Sequence, residues 1–190
     1  ASAVEISSNV GLSSDYIWRG MSQTKGDLSV NGGFDLSTDM GFYIGTWASN
    51  ANYTGTSMEL DIYLGFSGEM AENMTYNIGY ISVIYPGNDA LDFEEAYVGF
   101  DIYGLSILYS DGQNDSPAYS EIGYSVDAGP GSFNISYGEY EDTGDNTLVG
   151  YDWGVGDFSL GFYYFDFEAH KNNATGVDDD GAYVSLSRSF

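Results

Sequence analysis

Glu5, Asp15, Asp35, Glu59, Asp61, Glu95, Asp101, Glu121 and Asp152 all fall on the polar side of a two-residue alternation. A strand sends successive side chains to opposite faces, so these acids share one surface, together with Asn9 and Asn31. Against 29 Asp and Glu the chain has 4 Lys and Arg, a formal net charge of -25. So few cations cannot neutralise the acids by ion pairing. A low-dielectric wall lined by one sign of charge concentrates counter-ions instead. The chemistry these residues suit is electrostatic: gathering small cations along a surface.

Arg19, at the end of Asp15-Tyr16-Ile17-Trp18-Arg19, is the exception. Its planar fork suits bidentate pairing with a carboxylate. We expect it to cross to Asp15, Glu59 or Asp61 and fix the first loop at a pore mouth. Tyr43, Trp47, Tyr63, Tyr97, Tyr119 and Tyr163 fall on the same face as the acids. They would serve either as a greasy slide for solutes or as filling packed against glycines, and filling is the expectation.

Two further groups invite chemistry and carry less. Asp178, Asp179 and Asp180, with Glu139, Glu141, Asp142 and Asp145, are a weak candidate for collecting Ca²⁺. They lack the ordered spacing of a calcium loop, so a solvated acidic loop is expected, with no metal or cofactor. His170, beside Lys171, is the one imidazole, and nothing in the sequence sets a serine nucleophile against it. We therefore expect no enzyme; a lipid-modifying barrel is the least favoured reading.

The elements that would position these residues are strands. We read twelve, with ten as the alternative count: 4–17, 28–37, 41–49, 58–68, 75–85, 94–102, 105–110, 118–126, 132–138, 147–155, 158–166 and 181–190. The connections alternate, short at 38–40, 70–73, 103–104, 128–131 and 156–157. They are long around 21–27, 50–57, 86–93, 111–117, 139–146 and 167–180. Short turns at one end and longer loops at the other are the habit of transmembrane barrels. An even count would leave both termini on the periplasmic side. Twelve strands of ~10 residues, with turns of ~3 and loops of ~9, need roughly 190 residues.

The second face is apolar throughout, as in Leu60, Ile62, Leu64 and Phe66, or Ala182, Val184 and Leu186, until Arg188 near the end. A closed soluble barrel would have to bury one face, and burying unpaired carboxylates is prohibitive. A two-sheet sandwich burying the apolar face is the main alternative, since alternation suits it equally well. The loop asymmetry and the aromatic-rich apolar face, with Tyr76, Tyr80, Tyr124, Tyr137, Tyr164 and Phe190, favour the membrane. We therefore expect an all-β, antiparallel up-and-down transmembrane barrel forming a single domain over residues 1–190. Its backbone radius would be ~12 Å and its bore ~10 Å if no loop folds in. The start at Ala1-Ser2-Ala3 is compatible with a signal peptide already removed. Phosphate binding needs cations, so nucleic acid is excluded as a partner. Without cysteine there is no disulfide framework.

The segments Ser14-Asp15-Tyr16-Ile17-Trp18-Arg19-Gly20-Met21-Ser22-Gln23 and Gly41-Phe42-Tyr43-Ile44-Gly45-Thr46-Trp47-Ala48-Ser49-Asn50 resemble the TorF-type porin family of proteobacterial outer-membrane proteins. Glu59-Leu60-Asp61, Tyr85-Pro86-Gly87 and Glu95 fall where related residues are expected. The resemblance implies an outer-membrane location and pore activity, with no agreed substrate and no catalytic residues. The expected function is a channel for passive diffusion of small solutes, cations preferred, with outer-membrane lipid as the surrounding partner and a monomer favoured. The alternative is a non-conducting barrel whose acidic loops bind a partner or divalent ions.

Overall fold

The computed structural model describes residues 3–171, 173 and 176–190, so Ala1 and Ser2, on which the export expectation rests, lie outside it. Period-two alternation forms strands throughout. They are β1 (Val4–Ser13), β2 (Ile17–Trp18), β3 (Met21–Ser22), β4 (Ser29–Thr38), β5 (Phe42–Tyr53), β6 (Thr56–Ala71), β7 (Met74–Ile84), β8 (Phe93–Ile102), β9 (Leu105–Gly112), β10 (Tyr119–Ala128), β11 (Gly131–Tyr140), β12 (Gly144–Val155), β13 (Phe158–Ala169) and β14 (Asp179–Ser189). Every strand except β2 and β3 joins one antiparallel barrel, each pairing with its sequence neighbour until β14 closes on β1. The twelve-stranded count holds, and the sandwich is excluded because neither sheet edge is left open. Hydrocarbon offers the backbone no hydrogen-bond partners, and closure satisfies every rung of the ladder internally.

Register sets the faces. Ile44, Leu64 and Tyr80 form one cross-strand row, and Leu12, Leu186 and Leu160 another. Ile44, Leu64, Tyr80, Leu12 and Leu186 all lie on the exposed outer surface. The buried residues Glu59, Asp61, Ser49, Tyr119, Phe165 and Phe167 lie on the inner one. Arg188 faces outward near the end of β14. There it bonds to Asp157 at 3.0 Å and stacks on Phe158 and Phe190 at 5.5 and 4.7 Å. The charge is thus paired and covered by rings at the rim, where exposure to lipid costs least.

Several expected boundaries move. β1 ends at Ser13, so residues 14–28 form one long connection that holds the β2–β3 hairpin. The expected long loops at 50–57 and 139–146 are instead strand, joined by Thr54-Gly55 and by 141–143. Tyr53 pairs with Thr56, and Gly55 turns the chain at φ 87°, a conformation glycine adopts freely. Tyr140 pairs with Gly144 in the same way. These hairpins continue past the apolar band, where polar residues suit both faces. The start of β1 and the end of β14 lie at the end of the barrel that carries the short turns.

Leu64 sits midway along β6 on the outer face. Leu64→Arg should lower the stability of the lipid-embedded barrel by about 2–4 kcal/mol, read from urea unfolding in liposomes. An unchanged midpoint would show that this face does not meet hydrocarbon.

Candidate functional site in the barrel lumen

Residues 14–28 fold into the barrel instead of standing above it. At their tip Trp18-Arg19-Gly20-Met21 is a two-residue hairpin turn, with Arg19 at φ 48° and Gly20 at φ 79°. Two successive positive φ values define the turn whose twist matches a hairpin. For Arg19 this conformation is unfavourable and persists only when its surroundings hold it. Gly20 has no alternative, because an added Cβ would lie 2.6 Å from the Asn146 Cβ and 3.2 Å from that of Phe167.

The surroundings that hold Arg19 are on the far wall. Its Nη1 and Nη2 donate to the two oxygens of Glu95 at 2.6 Å each, and Nη2 reaches Ser110 Oγ at 3.4 Å. Its guanidinium lies 4.0 Å from the Tyr119 ring centre, 4.8 Å from Trp18 and 4.9 Å from Tyr140. The side chains of the pair are 7% and 2% exposed. Burial opposes the charge on Arg19. The hydrogen bonds and charge of Glu95 more than offset it, and the guanidinium pKa moves up.

The rest of the loop grips other parts of the wall. Tyr16 donates to Glu59 at 2.6 Å and packs edge-on against Trp47 at 5.3 Å. Tyr85, just beyond β7, donates to the other Glu59 oxygen. Burial first, then the Glu59 charge, pushes both phenols well above their ordinary range, so they remain neutral donors. Ser22 N–H donates to Asp179 at 2.8 Å, Asn52 N–H donates to the Gln23 carbonyl at 2.8 Å, and the Tyr53 hydroxyl donates to Gln23 Oε1. Asp15 lies inside the loop, where its Oδ1 accepts from Ser22 Oγ at 2.8 Å and Thr24 Oγ1 at 2.6 Å. The loop therefore spans the bore. A cavity of about 200 Å³ remains beside it, lined by Ser13, Asp15, Asn31, Tyr163, Tyr183 and Ser185.

The other expected site residues spread along the inner wall. Asp35 accepts from Tyr63 at 2.6 Å, Asp152 from Asn134 at 2.8 Å and from Tyr163, and Glu121 from Tyr119 at 2.7 Å. Glu5 and Asp101 stand exposed at the short-turn end. Tyr43 bonds to Tyr97 at 2.7 Å and to Asn77 at 2.5 Å. These rings lie over glycines paired with them on the adjacent strand: Tyr43 over Gly65, Tyr63 over Gly45 and Tyr163 over Gly150.

Arg19 pairs with Glu95, not with Asp15, Glu59 or Asp61 as expected, because the turn carries it past them to the opposite strands. Asp15 belongs to the loop, not to a strand. The run 178–180 diverges: Asp178 accepts from Ala169 N–H at 3.0 Å, Asp179 turns inward to Ser22, and Asp180 is exposed. A different trio converges on the outer rim, where Glu139, Asp145 and His170 have ligand atoms within 4.8 Å of one another. Tyr16, Tyr85, Tyr140, Gln23 and Thr24 were missed. Continuing the alternation one or two residues past each expected strand end would have turned Tyr140 inward.

A family model described as "Bacterial protein of unknown function (Gcw_chp)" matches residues 1–109. No curated protein matches the sequence. Among solved structures, one titled "KdgM porin" superposes with a TM-score of 0.69 at 9% identity, over 97% of this chain and 99% of that one. The likeness is one of fold.

Glu95→Ala would leave the Arg19 charge buried and unpaired, weakening the docked loop by about 3–5 kcal/mol. A protease that cuts only after arginine should then cleave the folded barrel at Arg19, a cut absent from the native protein, where Arg19 is buried. A variant as resistant as the native chain would mean that Glu95 does not hold the loop.

Proposed function

The chain belongs to the Gcw_chp family of bacterial proteins, and we propose that it is an outer-membrane channel for passive diffusion of small solutes, with cations preferred. On this reading the short turns and both chain ends face the periplasm, and the apolar outer face meets outer-membrane lipid. The porin title of the structural neighbour supports a channel in place of an enzyme, as does the TorF-type resemblance of the first third. His170 meets Asp145 at 3.3 Å on the outer rim, away from the acids of the lumen.

One observation carries the cation preference. Arg19 is the one lysine or arginine inside the described barrel, and Glu95 already neutralises it. Asp35, Glu59, Asp61, Glu121 and Asp152 are left facing the lumen without a counter-charge. Such a wall attracts cations and repels anions. The bore narrows to what the loop leaves, so the unit conductance is small. The same loop supports a second reading, in which it stays docked and the barrel does not conduct.

Planar bilayers separate the two. The native chain should give small, discrete, cation-selective steps. Arg19→Ala should enlarge them by loosening the loop. Anion preference defeats the cation channel, and absence of steps in both proteins favours the closed barrel.

A further inference from the structure

Asp61 presents an anomaly that the channel reading does not absorb. The residue is 6% exposed, and its Oδ1 is buried without a hydrogen-bond partner among the described residues. Buried polar groups nearly always find partners, so an orphaned carboxylate oxygen marks something that the protein's own atoms do not supply. Glu59, two residues earlier in β6, points to the same face and is 2% exposed. Its two oxygens take only neutral phenol donors, Tyr16 from the loop and Tyr85 from beyond β7. In the ladder Asp61 is flanked by Trp47 on β5 and Val83 on β7, neither of which brings charge. Arg19 is committed to Glu95, and Lys25 is exposed. Two buried carboxylates thus stand together with no cation of the chain to balance them, so either a proton or a cation from outside must neutralise them.

We propose that Glu59 and Asp61 bind one divalent metal ion of the hard, oxygen-seeking class, such as Ca²⁺, beneath the inward-folded loop. Two carboxylates match the double charge, and the orphaned Asp61 oxygen is a free ligand. The surrounding donors are phenol oxygens, with no sulfur or imidazole to favour a softer metal. The site deepens the cation-preferring reading and rests on it for its physiological sense, since the same acids that draw cations inward would hold one at the constriction.

The full chain, folded in detergent, is titrated with CaCl₂ alone. Calorimetry and tryptophan fluorescence follow binding, the latter because Trp47 packs on Tyr16 beside the site. The native protein should show a saturable one-to-one component, weakened at least about tenfold in Asp61→Asn through loss of a charged ligand. Subtracting the Asp61→Asn titration removes weak binding by exposed acids. Heat-modifiable gel mobility shows whether that variant has closed its barrel; if it has not, Glu59→Gln is read in its place. Equal binding by native and variant proteins, or no saturable component in the native chain, overturns the site. Bilayer recordings keep the two proposals apart. Asp61-dependent binding without conductance defeats the channel and leaves the site. Cation-selective conductance with binding indifferent to Asp61 does the reverse.

Discussion

Closure of β14 on β1 is the constraint from which the remaining features follow. A transmembrane sheet with an open edge would leave unpaired N–H and C=O groups in hydrocarbon, at several kcal/mol each. Once the ring closes, no strand can slip by one residue without turning Leu64 inward and Asp61 into lipid. The apolar outer rows and the acidic inner rows are therefore two consequences of one register. Closure also creates a volume that the chain must fill or leave to water. Twelve strands enclose too wide a space for side chains on one wall to meet those on the other without help.

The chain fills part of that space in two ways. Low on the wall, tyrosines lean over glycines, so Tyr43 on Gly65 and Tyr63 on Gly45 narrow the bore using only local neighbours. At the end with longer connections, residues 14–28 cross the bore bodily. Their hold depends on the Arg19–Glu95 pair and the rings around it. A buried ion pair adds little net stability over an apolar contact of the same shape. It does dictate position: the fork must meet both Glu95 oxygens, and the strained φ of Arg19 is tolerated only in that pose.

How much of this was legible follows from the range of each interaction. Alternation is local, so the twelve strands, their outer rows and the acidic inner face could be read from short windows such as 59–66. Loop lengths were harder. Asn52, Thr54 and Gly55 look like a loop because they are polar and flexible, yet beyond the membrane both faces of a strand meet water and polarity ceases to discriminate. The partner of Arg19 was not legible at all. Its bidentate habit pointed to a carboxylate, but the lumen offers many, and the choice of Glu95 depends on how far a hairpin of 15–23 reaches across a closed ring. Asp61 belonged on the inner face by parity alone. That it would end there without a partner depends on Tyr16 and Tyr85 both choosing Glu59.

The acidity of the lumen also bears on how firmly the loop is held. In a neutral bore, pulling Arg19 from Glu95 would strand a guanidinium in a medium that cannot solvate it. Here the same inner wall also carries Asp35, Glu59, Asp61, Glu121 and Asp152, and a carboxylate is the natural partner of that fork. The docked pose is set apart by the aromatic rings around Arg19 and by the backbone bonds of Ser22 and Asn52. The one arginine in the described lumen is thus held by the same kind of group that lines the rest of the wall.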